Sequence, residues 1–461
     1  MYQDVVANKY ASKEIVENFS DVKRYTTWRL LWIALAREQK ALGLNISNAQ
    51  IEAMEHNYQN IDFLEVEKIE AELQHDVMAH LTHFANQNPI AKPIMHLGAT
   101  SEFIKDNTDL ILMKNALLII REKLVATINA LIDFAIENKN VATLGYTHYQ
   151  VAQPTTVGRR ACLWLQSFMI DLEQLDSTIN SLKFRGVKGT TGTLASFKDL
   201  FNNNYQQVKL LNENITKHFG FKHSFIITGQ TYDRKVDVNI LNLISSIAVS
   251  AHKFTNDLRL LQNLKELQEG FGKNQVGSSA MPYKKNPIKS ERVSSLAKYL
   301  IALPFSASMV ASTQWLERTL DDSANRRITI PQGFFTLDAI LKLITNIISN
   351  IQVNHKVIAG NLNKELPFLA TENIMMMAVK KGGDRQILHE KIRAYAMEVH
   401  TDIVENGSVN TLLDKILADS DFNLSPQELQ KLVNVDNFIG FSKEQVDDYI
   451  GEVKEYLKNI R

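Results

Sequence analysis

Apolar residues recur at steps of three and four over unusually long stretches of this chain. Between Gln230 and Glu269, the stripe Val236, Ile240, Leu243, Ile247, Ala251, Phe254, Leu258 and Leu261 keeps the spacing of one α-helical face. At 1.5 Å per residue such a helix would run roughly 50 Å or more. Glycine and proline are absent from this stretch, and equally from Ala99 to Leu144 and from Arg159 to Arg185. Both residues interrupt helices, so their absence predicts three long, unbroken ones. A fourth is predicted from Phe334 to Ala359, ended by Gly360. No run alternates in the manner of a sheet; only short strands such as SFIIT (224–228) fit.

Helices of this length cannot bury their stripes within one compact globule. The pattern therefore predicts an all-α protein built around an elongated bundle, completed by further copies of the chain. Three regions follow: shorter helices in 1–100, the long helices in 101–353, and shorter helices again in 354–461. In the last region LSPQELQKL announces a helix start, with Ser425 as N-cap, Pro426 in the first turn and Glu428 closing a capping box.

Composition narrows the possible functions. The 461 residues carry 51 Lys plus Arg against 51 Asp plus Glu. A net charge of zero speaks against a nucleic-acid or membrane-surface protein, so any recognition of anions must be local. The only cysteine, Cys162, lies in an apolar helical run and reads as a buried structural thiol in a reducing compartment, the cytoplasm. No secretory leader and no membrane span is expected from the apolar runs.

Four polar loops carry the candidate chemistry. GSSAMPYKKNP (277–287) places Ser278, Ser279, Lys284 and Lys285 before a helix that Asn286 would cap and Pro287 would begin. Cations beside free N–H groups at the positive end of a helix dipole call for an anion, and Gly277 would let the loop bend. GYTHYQVAQPTTVGRRA (145–161) sets His148 on a loop between two long helices. ERTLDDSANRR (317–327) has more arginine than its aspartates can absorb, and arginine forks suit carboxylate and phosphate. QHDVMAHLTH (74–83) spaces Asp76, His80 and His83 for one helix face, with His75 off that face. No thiol or second carboxylate cluster accompanies them, so zinc is not expected. HLGATSEFIKDN, TGQTYDRK and ELPFLATEN add hydroxyls and amides. There is no Walker A loop, Rossmann fingerprint or nucleophile elbow. The residues alone thus suggest a small polyanionic ligand and proton transfer with stabilised negative charge, without a metal or cofactor.

GSSAMPYKKNP resembles the signature loop G-S-S-x-M-P-x-K-x-N of the fumarase/aspartase superfamily. Together with THYQVAQPTTVGRR, FRGVKGTTGT, IITGQTYDRKVD, ERTLDDSANRR and ELPFLATEN, it is similar to the adenylosuccinate lyase family over about residues 8 to 400. That resemblance implies a three-domain helical fold whose central bundle forms a tetramer core, with three chains contributing to each site. It implies a fumarate-releasing C–N elimination from adenylosuccinate, giving AMP, and from the succinylocarboxamide ribotide SAICAR, giving AICAR. Ser278 would then be the base, His148 the acid and Lys284 a holder of developing charge, with Glu291 orienting the site and His75 also catalytic. Lys9, Tyr10, Gln74, Asp76, Thr100, Ser101, Gln230, Arg292, Arg318, Ser323 and Arg327 would surround the substrate.

Two positions depart from the family pattern. Gln74 stands where arginine usually precedes the histidine, and Lys9 with Tyr10 stands where Arg-Tyr is usual. Both exchanges remove a bidentate fork. Argininosuccinate lyase or aspartase remain rivals, although their substrates lack the phosphate that the ERTLDDSANRR arginines suit. An inert structural protein of the crystallin type is a further alternative, opposed by the intact Ser278, Lys284, His148 and Glu291.

Overall fold

The computed structural model describes residues 3–272 and 274–459, and most of them are helical. The elements that position the site are α1 (Asp21–Ala41), α2 (Asp76–Gln87), α3 (Ser101–Glu137), β1 (Ala142–Thr147), β2 (Gln150–Thr156), α4 (Val157–Ser181), α5 (Tyr205–His218), α6 (Lys235–Asn263), β3 (Leu267–Gln268), α7 (Ile288–Ala302), α8 (Asp322–Ile348), β4 (Gln352–Val353), α9 (His355–Leu369) and α10 (Pro426–Leu432). Two compact units result. One comprises the chain up to Ala126, Ile170–His252 and Arg292–Ile344; the other comprises Thr127–Met169, Lys253–Glu291 and the chain from Thr345. Their boundaries fall within helices α3, α4, α6, α7 and α8.

Three of the four long-helix predictions correspond to α3, α4 and α6. At 29 residues, α6 spans about 43 Å, shorter than its glycine-free stretch. Seven of the eight stripe residues are buried, as are Leu241, Ile244 and Ala248 beside them, so α6 is covered on more than one side. The fourth prediction was wrong at both ends. α8 begins at Asp322, passes through Pro331 and stops at Ile348. Just beyond its end, Gln352 and Val353 pair antiparallel with Gln268 and Leu267. Gly360 lies inside α9 with open space around it, so it terminates nothing.

In the first unit α1 buries Trp28, Leu31, Trp32 and Leu35, while α3, α6 and α8 bury Leu110, Leu117, Leu241, Ile244, Phe334 and Leu337. Each such side chain contributes roughly 1.5–3 kcal/mol. At Gly333 a Cβ would lie 3.0 Å from Leu241 and 3.3 Å from Leu303, so glycine permits this close helix contact. The second unit has a core of Ile374, Leu388, Val399, Leu412 and Phe422, and Ser425 forms the expected capping box with Glu428 at the start of α10.

SFIIT is not a strand: Ser224 alone makes a bridge, to Phe184, and Ile226 and Ile227 are exposed. The strands are found elsewhere, in the β1–β2 hairpin discussed below and in the short β3–β4 pair. Two helical segments, Ile288–Ser312 and Asp322–Ile348, are long and apolar enough to cross a membrane by length and composition; most of the second is buried inside the protein.

Candidate active site

Three of the sequence-predicted loops converge in the first unit. The Gln230 side chain donates to Thr100 Oγ1 at 3.2 Å, and its backbone N–H donates to the Glu317 carbonyl at 3.0 Å. Arg185, fully buried, donates to the Gln230 carbonyl at 2.8 Å. Gly229 is needed here, because a Cβ would stand 2.5 Å from the Glu317 carbonyl oxygen. Ser101 opens α3 beside Thr100.

A buried ionic cluster fixes these loops to α3. Arg234 pairs with Asp106 at 3.0 Å and Asp322 at 2.7 Å; Arg326 pairs with Asp109 at 3.0 Å and Asp237 at 2.7 Å. Tyr232 joins it through its hydroxyl to Asp237 at 2.6 Å and its N–H to Asp106 at 2.8 Å. Burial would raise the Asp109 carboxyl, but Arg24 and Arg326 overcome it and hold it at about 2. Glu102 goes the other way: burial, aided by Asp106, raises it to about 7 against Arg318. Sequence reasoning missed this cluster, although FIKDNTDL, with Asp106 inside an apolar helix, carried its signal.

The ERTLDDSANRR segment is a loop only up to Asp321, since α8 starts at Asp322. Arg318 donates to Asp322 at 2.6 Å and lies 3.5 Å from Glu102. Arg318, Ser323 and Arg327 line one crevice with Glu102 and Lys105. Arg327 is the surplus arginine: more than half exposed, it pairs among the described residues only with Asp76, at 3.2 Å. Asp76 also meets Lys105 at 2.8 Å; burial opposes but Lys105, the Val77 N–H and Arg327 prevail, lowering its pKa.

Asp76, His80 and His83 do not converge. His80 stacks on Tyr25, with ring centres 3.8 Å apart, and His83 Nε2 accepts from the Asp62 N–H while Nδ1 faces Glu65 at 3.2 Å. His75 is the N-cap of α2, half-exposed, its Nδ1 accepting from the Met78 N–H at 3.4 Å. Gln74 precedes it in the left-handed conformation (φ 49°), exposed. Near the N-terminus, Lys9 is exposed, and the Arg292 guanidinium sits 5.0 Å from the Tyr10 ring.

The second unit carries the proposed acid and base. GYTHYQVAQPTT is not a loop but the antiparallel hairpin β1–β2, closed by a two-residue turn at His148 and Tyr149. Both have positive φ, 54° and 58°. Such turns ordinarily use Asn-Gly, because other residues are strained there. That choice of residues hid the hairpin from sequence reasoning, and it leaves His148 strained and exposed at a tip. The base of the hairpin is anchored: buried Glu266 accepts from Thr143 at 3.1 Å, Tyr146 at 3.5 Å and Asn361 at 3.0 Å. Burial and Glu266 together push the Tyr146 hydroxyl up to about 12.

The signature loop is folded back on itself. Asn286 does not cap α7; its Nδ2 donates to the Gly277 carbonyl at 2.9 Å. The cap is Glu269, whose carboxylate accepts from the N–H groups of Lys289 (3.1 Å) and Ser290 (2.8 Å) and from the Ser290 hydroxyl (2.9 Å). The expected free N–H groups at this helix tip are therefore already engaged by a carboxylate. Gly277 serves close approach rather than bending, since a Cβ would lie 2.0 Å from the Lys284 carbonyl oxygen. Ser278 Oγ accepts from the N–H groups of Met281 at 3.1 Å and Ala280 at 3.3 Å. Lys284 is exposed, and Glu291, in the first turn of α7, lines an open cleft with Arg259, Gln262 and Lys285. Among the described residues no hydrogen bond or ion pair joins His148, Ser278 and Lys284. Cys162 is buried, which pushes its thiol up to about 11, unsuited to a nucleophile.

Two family models match: Lyase over residues 8–301 and Adenylosuccinate lyase C-terminus over residues 367–449. The adenylosuccinate lyase of Saccharomyces cerevisiae is 45% identical over 452 residues, 97% of this chain and 94% of that protein. The chain belongs to the adenylosuccinate lyase family. Its enzymes are carbon–nitrogen lyases, and so is this one. The family's member from Schistosoma mansoni is 44% identical over 97% of the chain and 94% of its own length. At the level of fold alone, β-carboxy-cis,cis-muconate cycloisomerase from Acinetobacter calcoaceticus superposes with a TM-score of 0.82 at 20% identity, over 97% of this chain and all of that one.

Proposed function

We propose that the protein cleaves adenylosuccinate to AMP and fumarate, and SAICAR to AICAR and fumarate, in purine nucleotide synthesis. The observation that carries this reading is the likeness to the yeast enzyme along almost all of both chains. A base removes a proton from the succinyl carbon next to a carboxylate, and the resulting charge spreads into that carboxylate. The C–N bond then breaks as an acid protonates the leaving nitrogen, and fumarate departs.

Ser278 is the proposed base. A serine hydroxyl is too weak an acid in water, and two N–H donors on its Oγ favour the alkoxide, because hydrogen bonds to a charged form lower its pKa. The exposed Lys284 adds positive charge in the same loop. His148, held at a strained and accessible tip, is the proposed acid. The cluster of Arg318, Ser323 and Arg327 with Gln230 and Thr100 supports a role in holding phosphate and carboxylates. We place the enzyme in the cytoplasm as a homotetramer with sites shared between chains; its single, buried cysteine suits that compartment.

Fumarate appearance on adding adenylosuccinate to the purified protein is the direct test, and production of neither fumarate nor AMP would sink the reading. Ser278→Ala and His148→Ala should each reduce kcat by about 10²- to 10⁴-fold, the usual loss for a general acid or base. A variant that retains near-normal kcat would remove its residue from that role.

A further inference from the structure

A second basic cavity lies in the first unit, and none of the residues placed in the candidate site lines it. It encloses about 640 Å³ between the segment that follows α4, α5, and residues 222–226. That is the size of a small-molecule site. Lys183, Lys188, Lys209, Lys217, Lys222 and His223 line it, against a single carboxylate, Glu213. Glu213 already stands 3.9 Å from Lys209. In a chain with no net charge, this is a marked local surplus of cations.

Lys188 decides the matter. Its residue is only 4% exposed, yet among the described residues no carboxylate comes within ion-pair distance. Its one hydrogen bond goes to the Ile226 carbonyl at 3.4 Å. Burial, with Arg185 adding repulsion, pulls this ammonium down to about 8. A buried cation left without a counter-ion is costly, and an anion in the cavity would relieve the cost. Between the lysines, Tyr205, Val208 and Phe225 add apolar surface to the lining, and the Lys183 ammonium lies 5.8 Å from the centre of the Phe225 ring. Clustered ammonium groups suit several adjacent phosphates, and aromatic faces suit a planar base.

We propose that this cavity binds a nucleoside di- or triphosphate, with Lys188 and the rim lysines on the phosphates and Tyr205 and Phe225 against the base. Its lining shares no residue with the proposed substrate site. A fluorescent ATP analogue titrated into the full-length protein, with AMP and fumarate saturating the catalytic sites, tests it. The expected result is saturable binding of one analogue per chain. Lys217→Glu combined with Lys222→Glu should weaken it at least tenfold while kcat for fumarate release is unchanged; Lys188→Gln should weaken it similarly. Lys217 and Lys222 are exposed, so the double variant remains informative even if Lys188→Gln fails to fold. Absence of saturable binding, or undiminished affinity in the double variant, would overturn the proposal. Binding is read without turnover, so its failure is distinguishable from failure of the lyase reading.

Discussion

The Trp32 indole donates to His96 Nδ1 at 2.9 Å, which requires an imidazole unprotonated at that nitrogen. Burial, with a smaller repulsion from His75, lowers His96 to about 4, and burial lowers His80 to about 4 as well. Both bind protons more weakly folded than unfolded. Their stabilisation is therefore complete above the ordinary histidine value near 6.5 and is lost as pH falls toward 4. At pH 5 each accounts for about 2 kcal/mol, from 1.36 kcal/mol per pKa unit. Urea unfolding at pH 7 and pH 5 should show this loss, and His96→Asn should reduce it by about 2 kcal/mol. Asparagine tolerates the positive φ of 63° at this position, and its side-chain oxygen can still accept from Trp32. An unchanged pH dependence in the variant would show that His96 is not the titrating group. The same scale holds the two departures from the family pattern. Lys9 and Gln74 are both exposed and cannot form a bidentate fork, so Lys9→Arg with Gln74→Arg should lower KM for adenylosuccinate severalfold and leave kcat nearly constant. Steady-state kinetics with unchanged KM would exclude either residue from substrate contact.

Among the elements, the ones visible in the sequence were those whose signal is local and repeated. α3, α4 and α6 announce themselves by an apolar stripe without glycine or proline, and α10 by the Ser425–Glu428 box. The hairpin was not visible because His148-Tyr149 replaces the usual turn residues. The true start of α8 was hidden because charged residues at its beginning serve a buried cluster with partners more than 80 residues away, such as Arg326 with Asp237. The cap of α7 escaped for the same reason: Glu269 lies 20 residues before the N–H groups it receives, whereas sequence reasoning looked to adjacent Asn286. The candidate residues were legible as residue types within loops, and their supports were not. One support can be tested directly. Gly277→Ala would place a methyl 2.0 Å from a backbone oxygen and force the signature loop open. Because the loop is largely exposed, the melting temperature should move little, while kcat should fall by at least about tenfold if Ser278 must be held where it is. Full activity in this variant would mean that the loop conformation is not the working one.

At the scale of the whole molecule, the first unit exposes apolar side chains that a lone chain has no reason to keep in water. Trp315 is 73% exposed, Leu316 98%, Ile226 89% and Ile227 86%. They stand immediately before the site residues of their own segments: Ile226 and Ile227 precede Gln230, and Trp315 and Leu316 precede Arg318. Another copy of the chain covering these patches would bring its own groups alongside Gln230 and Arg318, which is the physical argument for the proposed sharing of sites between subunits. The consequence is specific. Ser278→Ala and His148→Ala should each be nearly inactive alone. If one chain supplies the serine and another the histidine, unfolding the two variants together in equal amounts and refolding them gives about a quarter of the sites both groups. Fumarate release should then recover to about that fraction of the parent rate, in a species that elutes at the mass of an oligomer. If a single chain supplied both groups, the mixture would stay as inactive as its components, and the shared-site assembly would have to be abandoned.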